Sequence, residues 1–398
     1  MRLLFFILLL LSGCTNAQIT GCTDVQANNF DPAATENDGS CTYDPTSIIP
    51  TLVGNLPAAI PEASGVFYLN GQLWSHNDSG GEAKLYAFDL MTGVITKEVV
   101  LGGSQVDWED ISYEAPYFYI GDFGNNNGDR TDLMVLRFSE TELTSNFSDT
   151  VHADTISFSY PDQSDFTASS SHDFDCEAFF VNNATCHLFS KNRLTTTVKH
   201  YTFPAIPGTY VASILDSLQI SGQVTSADMD ANGNILLIGY IPPLYNAFGV
   251  LLWDYSSGDF FSGNKRYLDL GTVLDMGQQE GVCFTGTGQG YIVSEEVSAL
   301  GQQARYFQFD ITDLLELSAK LTEEQLKNLP FPNPVDSILV IPMSDLHEEA
   351  PVLYSSDGKH IDVIIELSGP NWILNLTELS SGTYILLHQG DLYPIQVR

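Results

Sequence analysis

The sequence predicts an all-β chain. Its body is a β-propeller of five blades, or six, set between a small disulfide-closed N-terminal module and a C-terminal β-sandwich. Three observations predict it. Short runs rich in Val, Ile, Leu, Phe and Tyr recur through residues 45–310, broken by NG, DG, GG and SG turns, with no long helical periodicity. A carboxylate followed by small or apolar residues returns five times, in PEASGVFY (Glu62), WEDISY (Glu109), DCEAFFV (Glu177), SADMDANG (Asp228) and QQEGVCF (Glu280). These are spaced by 47, 68, 51 and 52 residues. A period near 50 with several strands per unit marks a propeller.

The 398 residues are too many for one small core, so two or three units are expected. The composition is globular, 43% apolar and 11% aromatic. Fifteen basic residues stand against 50 acidic ones, giving a net charge of −35. That surface repels nucleic acid and anionic lipid, so a DNA- or RNA-binding role is excluded; it suits cations.

The N-terminus, MRLLFFILLLLSGC, places Arg2 before an apolar run from Leu3 to Leu11. The run is too short to span a bilayer and has the shape of a secretory signal over residues 1–17. Two processing routes fit. An ordinary cut would follow Ala17 in TNAQ, whereas LSGC is similar to a lipoprotein box with Cys14 lipidated. Either way the expected location is extracellular or at the cell surface, and no other stretch is long enough for a transmembrane helix. A monomer is expected.

Export permits disulfides. Residues 21–43, GCTDVQANNFDPAATENDGSCTY, lack apolar periodicity, and a piece this small needs a bridge or an ion to hold it. Cys22 and Cys41 are the best pair, and closing that loop contributes about 3 kcal/mol on the chain-entropy model. The segment resembles the short GCTD…DGSC modules of secreted Bacteroidetes proteins. Asp24, Asp31 and Asp38 either bind calcium or belong to a plain disulfide-closed spacer. Cys176, Cys186 and Cys283 sit in apolar runs and read as buried thiols, with a Cys176–Cys186 bridge as the alternative.

Strands can be assigned within each unit. After Glu62 come VFYL, QLWSHN, KLYAFDL and VITKEVVL; after Glu109, ISYE, YFYIGDF, LMVLRF and DTISFSY. After Glu177 come AFFV, CHLFSK, TVKHYTF and YVASILDSLQI; after Asp228, MDA, NILLIGYI, FGVLLWDY and KRYLDL. The last unit, GVCFT, GYIVSEE and ARYFQFD, stops one strand short, and SIIPTLVG at 47–54 is placed to complete it. Ring closure removes exposed edges. The 68-residue interval is the one place where a sixth blade could hide.

Residues 311–329, with TEEQ as a capping box, read as a short helical linker. Residues 330–398 carry a PNPV entry, a central turn in YSSDGKHI and a SGTY-strand-turn-strand ending. This segment resembles the C-terminal sorting domain of the type IX secretion system. The resemblance implies a small β-sandwich, the type IX secretion machinery as a partner, and removal or attachment at the surface. Such domains often finish on a Lys-rich strand; YPIQVR departs from that.

In a propeller the first strand of each blade lines the channel, so the five carboxylates are expected to ring one channel mouth. The second strand climbs back to the same face. That brings up His76, Asn77 and Asp78; Asp122, Asn125, Asn126 and Arg130; Lys191, Asn192 and Arg193; Tyr240; and Glu295 and Glu296. The candidate set is Glu62, Asp78, Glu109, Asp110, Asp122, Asn125, Glu177, Lys191, Arg193, Asp228, Glu280 and Glu295. Crowded carboxylates cannot all stay ionised without a counter-charge. They take up protons, pair with Lys191 and Arg193, or bind a cation; Ca2+ takes oxygen donors of these kinds. Alternatively each carboxylate caps backbone amides between blades.

The pieces LWSHNDSGG, DWEDI, YIGDFGNN, DCEAFFV, TSADMDANG, QQEGVCF and VSEE resemble those of uncharacterised extracellular propellers and, more loosely, the phytase-like esterase and SdiA-regulated propeller groups. The esterase resemblance implies a metal-dependent hydrolase of an ester, lactone or phosphoester, with Glu109 or Glu177 as general base. The other reading is a binding protein for a small-molecule or glycan ligand. Several motifs weigh less. DMDANGN lacks the distal Glu of a calcium loop and reads as a turn at Asn232-Gly233. GTGQG joins two strands, HEEA has no second His, and no G-x-S-x-G elbow exists. Ser75, His76, Asp78 and Ser79 read as a hydrogen-bond cluster.

Overall fold

The computed structural model describes residues 18–316 apart from 80, 104 and 145–149, and, further on, 330, 333–342, 350–356, 358–369, 371–388 and 391–398. The expected signal segment, Cys14 and the linker beyond residue 316 lie outside the described residues. Two compact units divide at Ser318/Ala319.

The first unit is a five-bladed propeller. Blade 1 is built from Ala63–Leu69, Gln72–Asn77, Lys84–Asp89 and Ile95–Leu101. Blade 2 is Trp108–Glu114, Tyr117–Asp122, Met134–Ser139 and Asp154–Ser159. Blade 3 is Asp175–Asn182, Thr185–Lys191, Thr197–Pro204 and Ser213–Gln219. Blade 4 is Gln223–Met229, Ile235–Ile241, Asn246–Trp253 and Asn264–Gly271. Blade 5 is Gln278–Gly286, Gln289–Glu295 and Arg305–Asp310, completed by the antiparallel strand Thr51–Asn55.

The long interval holds no sixth blade among the described residues. Its length goes into a helix at Glu140–Thr144, a strand Thr150–Val151 that adds in parallel to the edge of blade 1, and the connection 160–174. Gly208–Val211 likewise covers the edge of blade 2, and Thr46–Ser47 that of blade 4. Covered edges cannot recruit foreign strands.

Inner strands are packed on both faces, so they read as near-continuous apolar runs rather than alternating ones; Leu236, Leu237 and Ile238 are all buried. Five separate cores lie between successive blades. Trp74, Trp108 and Phe118 join blades 1 and 2, and Phe123, Phe179 and Phe203 join blades 2 and 3. Phe180, Phe248 and Phe260 join blades 3 and 4, and Leu236, Trp253 and Phe307 join blades 4 and 5. Val66, Phe88, Cys283 and Tyr306 join blade 5 back to blade 1. Burying each such aromatic side chain is worth roughly 1.5–3 kcal/mol, so the ring is held all the way round.

Hairpins obey turn chemistry. Asn70-Gly71, both at positive φ, turns blade 1, and Gly233 at φ +85° turns blade 4 beside Asn232. Asp230 accepts hydrogen bonds from the backbone of Asn232 and Asn234, so this loop satisfies its own carboxylate.

Cys22 and Cys41 form a disulfide. Asp24, Asp31 and Asp38 accept turn amides from Gln26, Ala33 and Ser40. The module packs on blade 4: Tyr43 lies tilted against Trp253 and under Arg266, and the Asn37 amide reaches the Asp254 carbonyl. Cys176, Cys186 and Cys283 are buried free thiols.

The second unit is a β-sandwich. One sheet orders Ile338–Pro342, Asn371–Asn375 and Ile364–Ser368; the other orders His360–Ile361, Val352–Ser355, Gly382–His388 and Asp391–Val397. Leu339, Ile341, Leu353, Leu374, Leu386 and Ile395 fill the space between them. Among the described residues no helix is long and apolar enough to cross a membrane.

Candidate functional site

One irregularity recurs in every blade. The pairing of first and second strands slips between Ala63 and Val66, between Ile120 and Asp122, between Cys176 and Ala178, between Val224 and Ser226, and between Gln279 and Gly281. All five bulges lie at the same end of the ring. A bulge leaves one residue unpaired and re-aims its side chain. The displaced residues are Ser64-Gly65, Glu109-Asp110, Glu177, Thr225 and Glu280.

This geometry builds a polar cup of about 260 Å³ at the channel mouth. Glu62, Asp78, Glu109, Glu177, Glu280 and Glu295 line it together with two cations, Lys191 and Arg193. Asn126, Tyr240, Tyr245 and Gln278 also face it. The acidic motifs therefore converge, with corrections.

Asp228 is not in the cup. It lies six residues into its strand rather than at the bulge, so it comes out at the opposite end. There it accepts the Phe284 amide at 2.7 Å. Blade 4's equivalent of the cup acids is the uncharged Thr225, whose hydroxyl donates to the Gln279 carbonyl. Asp110 points into the closed centre of the ring and is fully buried. Asp122 accepts the amides of Val106 and Asp107 and pairs with Arg130 at 2.9 Å, so it anchors the loop that carries Asp107. Asn125 ties blade 2 to blade 3 through the Asp175 carboxylate and the Phe174 carbonyl. These three carboxylates or amides act as backbone caps.

Gln278, Tyr245 and Asp107 were missed. Gln278 stands two residues before Glu280, as Asp175 stands before Glu177, and its amide donates to Glu280 at 2.7 Å. That shared spacing was the available signal. Asp107 and Glu109 both crowd Gly124, where an added Cβ would collide with both carboxylates.

The charges are uneven. Lys191 contacts Glu177, and Arg193 binds Asp175 at 2.6 Å and lies 3.8 Å from Glu177. The remaining acids have no such partner. Burial pushes Glu177 up to about 8, with the Lys191 charge opposing and Glu280 and Asp175 adding. Burial, then Glu295, pushes Glu280 up to about 8 against Lys191. Glu295 rises to about 7 through burial, Asp78 and Glu177, and Asp107 to about 6 through burial, Asp175 and Asp78. Glu109 stands well above the usual range through burial and Glu177, and Glu62 is raised by burial and Asp78. Burial works against the charge on Lys191, yet Glu177, Tyr240 and Glu280 hold its pKa well above normal. The cup is a crowded acid cluster around a fixed ammonium, with several members raised by burial and by one another.

Glu177 has one further property. It is only 4% exposed, and its second carboxylate oxygen, Oε2, is buried with no hydrogen-bond partner. A buried carboxyl oxygen in that state is rare and costly, and it calls for a partner. By contrast, the larger cavity of about 630 Å³ at the other end has committed acids: Asp230 is used by Asn232, Asn234 and Gly288, and Asp228 by Phe284.

No family model matches the chain, and no curated protein matches it. Solved structures do. The chain is similar to regucalcin from Agrobacterium tumefaciens, described as a calcium-binding protein, at 13% identity over 66% of this chain and 95% of that one, with a TM-score of 0.36. It is also similar to the hydrazine synthase of Kuenenia stuttgartiensis, at 11% identity over 78% of each chain and a TM-score of 0.32. Semaphorin 2a of Drosophila matches at 8% identity over 85% of this chain and 76% of that one, with a TM-score of 0.32. Likenesses this weak carry no functional argument, and the fold rests on the sheets described above.

Proposed function

We propose that this is an exported protein, addressed by its C-terminal sandwich to the type IX secretion machinery, whose propeller binds an extracellular ligand through a cationic group seated in the cup. The observation that supports the reading best is the unpartnered Oε2 of Glu177, among six carboxylates that share only two cations. A cation entering the cup lowers the cost of ionising Glu280 and Glu295, so binding releases protons.

Calcium is the inorganic form of the same reading. Its donors are carboxylate and amide oxygens, and Glu62, Asp78, Glu280, Glu295 and Asn126 are the residues that would supply them. Glu177 Oε2 is the further donor, and all of these would have to draw together around the ion, because among the described residues no three acidic, His or Cys side chains already form a metal-holding group.

The test is calorimetry on the purified full chain at pH 8, titrated with calcium chloride and, separately, with lysine amide. One of the two should bind with proton release, and Glu280→Gln should weaken it about tenfold or more, as expected for a lost charge-assisted contact. Absence of heat from both would end the reading. Export is tested by locating a chain truncated after residue 329, which should stay inside the outer membrane.

A hydrolase remains the second reading, favoured by one observation: Glu109 and Glu177 are buried carboxyls raised above the usual range, and Glu177 contacts Lys191. A carboxyl titrating at about 8, as Glu177 does, donates a proton at neutral pH, so Glu177 would serve as a general acid and not as the expected general base. Turnover of an ester or phosphoester panel that disappears in Glu109→Gln would favour it.

A further inference from the structure

We infer that the ligand is a peptide segment that presents one basic side chain between apolar residues; this rests on the cationic-group reading of the cup. In a propeller the loops from second to third strand and from fourth to first strand all surround one mouth. Here that is the acidic mouth. Leu194 is 64% exposed, Leu244 68%, Tyr245 40%, Leu274 64%, Leu300 45% and Val106 43%. Every one of them lies on such a loop. Leu194 follows the cup residue Arg193, Leu244 precedes the cup residue Tyr245, and Val106 precedes Asp107. Gln302 donates to the Leu274 carbonyl, which brings the loops of Leu274 and Leu300 together beside the strands carrying Gln278 and Glu295.

Single exposed apolar side chains need no explanation. An apolar collar around an acid-lined hole is different, because the two parts ask for opposite chemistry at one mouth. An inorganic cation or a small amine satisfies the hole and ignores the collar. A neutral sugar hydrogen-bonds the acids through its hydroxyls but leaves their charge unmatched and the collar uncovered. A lysine or arginine side chain flanked by leucine-like residues satisfies both: its ammonium or guanidinium enters among Glu280, Glu295 and Asp78, and its neighbours cover Leu194, Leu244 and Leu300. The chain's charge of −35 favours approach of such a segment from a distance.

The test is fluorescence anisotropy of the full chain at pH 8 with an end-blocked, fluorescein-labelled pentapeptide holding one lysine between leucines. Matched peptides carry norleucine in place of the lysine, or serines in place of the leucines, and laminarihexaose is added as a competitor. Binding of the first peptide at least tenfold tighter than both matched peptides, with that advantage over the serine peptide lost in the Leu244→Ser/Leu300→Ser double variant, is the expected result. Equal binding of the leucine- and serine-flanked lysine peptides, unchanged by the double variant, would overturn the inference and leave the cup reading standing. Binding of the norleucine peptide as tightly as the lysine peptide would overturn the cup reading as well. Failure of every peptide to bind would overturn the inference, and displacement of the lysine peptide by laminarihexaose would overturn it in favour of a glycan.

Discussion

The carboxylate of Asp110, on the inner strand of blade 2, accepts a hydrogen bond at 3.0 Å from the hydroxyl of Ser226, on the inner strand of blade 4. The same oxygen, Oδ2, accepts the amides of Ala227 in blade 4 and Phe179 in blade 3, at 3.1 and 3.3 Å. One buried side chain thus ties three blades across the channel and closes the cup from below.

Asp110→Ala should therefore strip four buried donors of this acceptor, since Oδ1 also takes the Ile111 amide at 2.9 Å. A loss of about 3 kcal/mol is expected, read as a lower urea midpoint, against about 1 kcal/mol for Ser226→Ala. Equal and small effects would mean that the ring needs no central tie.

Stability should fall as pH rises. Unfolded Glu titrates near 4.3, about the ordinary value, whereas folded Glu177 and Glu280 titrate at about 8 and Glu295 at about 7. Between these limits the folded state binds more protons than the unfolded one, so its advantage is complete at acid pH and is lost as pH climbs through the folded values. Urea midpoints should drop between pH 5.5 and 8.5, and Glu280→Gln should flatten the slope. A midpoint that rises with pH would contradict the raised values of Glu177, Glu280 and Glu295.

At pH 9, above the folded value of Glu177, Lys191→Met should cost about 3–5 kcal/mol, because it strands that carboxylate in a buried site. The double variant Lys191→Met/Glu177→Gln should recover most of that loss. A double variant as unstable as the single one would show that Lys191 matters for its packing against Tyr240, 5.3 Å from the ring centre, rather than for its charge.

The hairpin of blade 3 turns through Asn183 and Ala184 at φ +51° and +54°, where a glycine would be expected at the second position. Both oxygens of Glu114 hold the Ala184 amide, at 3.2 and 3.0 Å. Ala184→Gly should raise stability by about 1 kcal/mol, seen as a higher melting temperature. Glu114→Ala should lower it.

The blade count and the origin of the closing strand were legible because both depend on length and apolar content. ARYFQFD needs an outer neighbour, and TLVGN is a strand without a sheet of its own. The cup was only partly legible. Glu109, Glu177 and Glu280 share a bulge, and a bulge is a register event that residue type does not announce. SADMDANG matches the acid-then-small pattern, but its acid comes three residues after the bulged Thr225, and the strand carries it to the far face. Asp110, Asp122 and Asn125 have the residue types of a site, yet each is turned toward backbone amides or carbonyls. The apolar collar was illegible for another reason: exposed Leu244 and Leu300 look, one at a time, like any loop leucine.

The closing strand has a consequence for how the chain comes into being. Asn55 pairs with Arg305, so strands some 250 residues apart must meet before blade 5 is whole. Contacts of such long range form late and slowly. During synthesis the earliest strand of the ring emerges with no neighbour and must wait until almost everything else has been made. The propeller therefore latches in a single terminal event, and a transporter that takes the chain before that event moves an open arc.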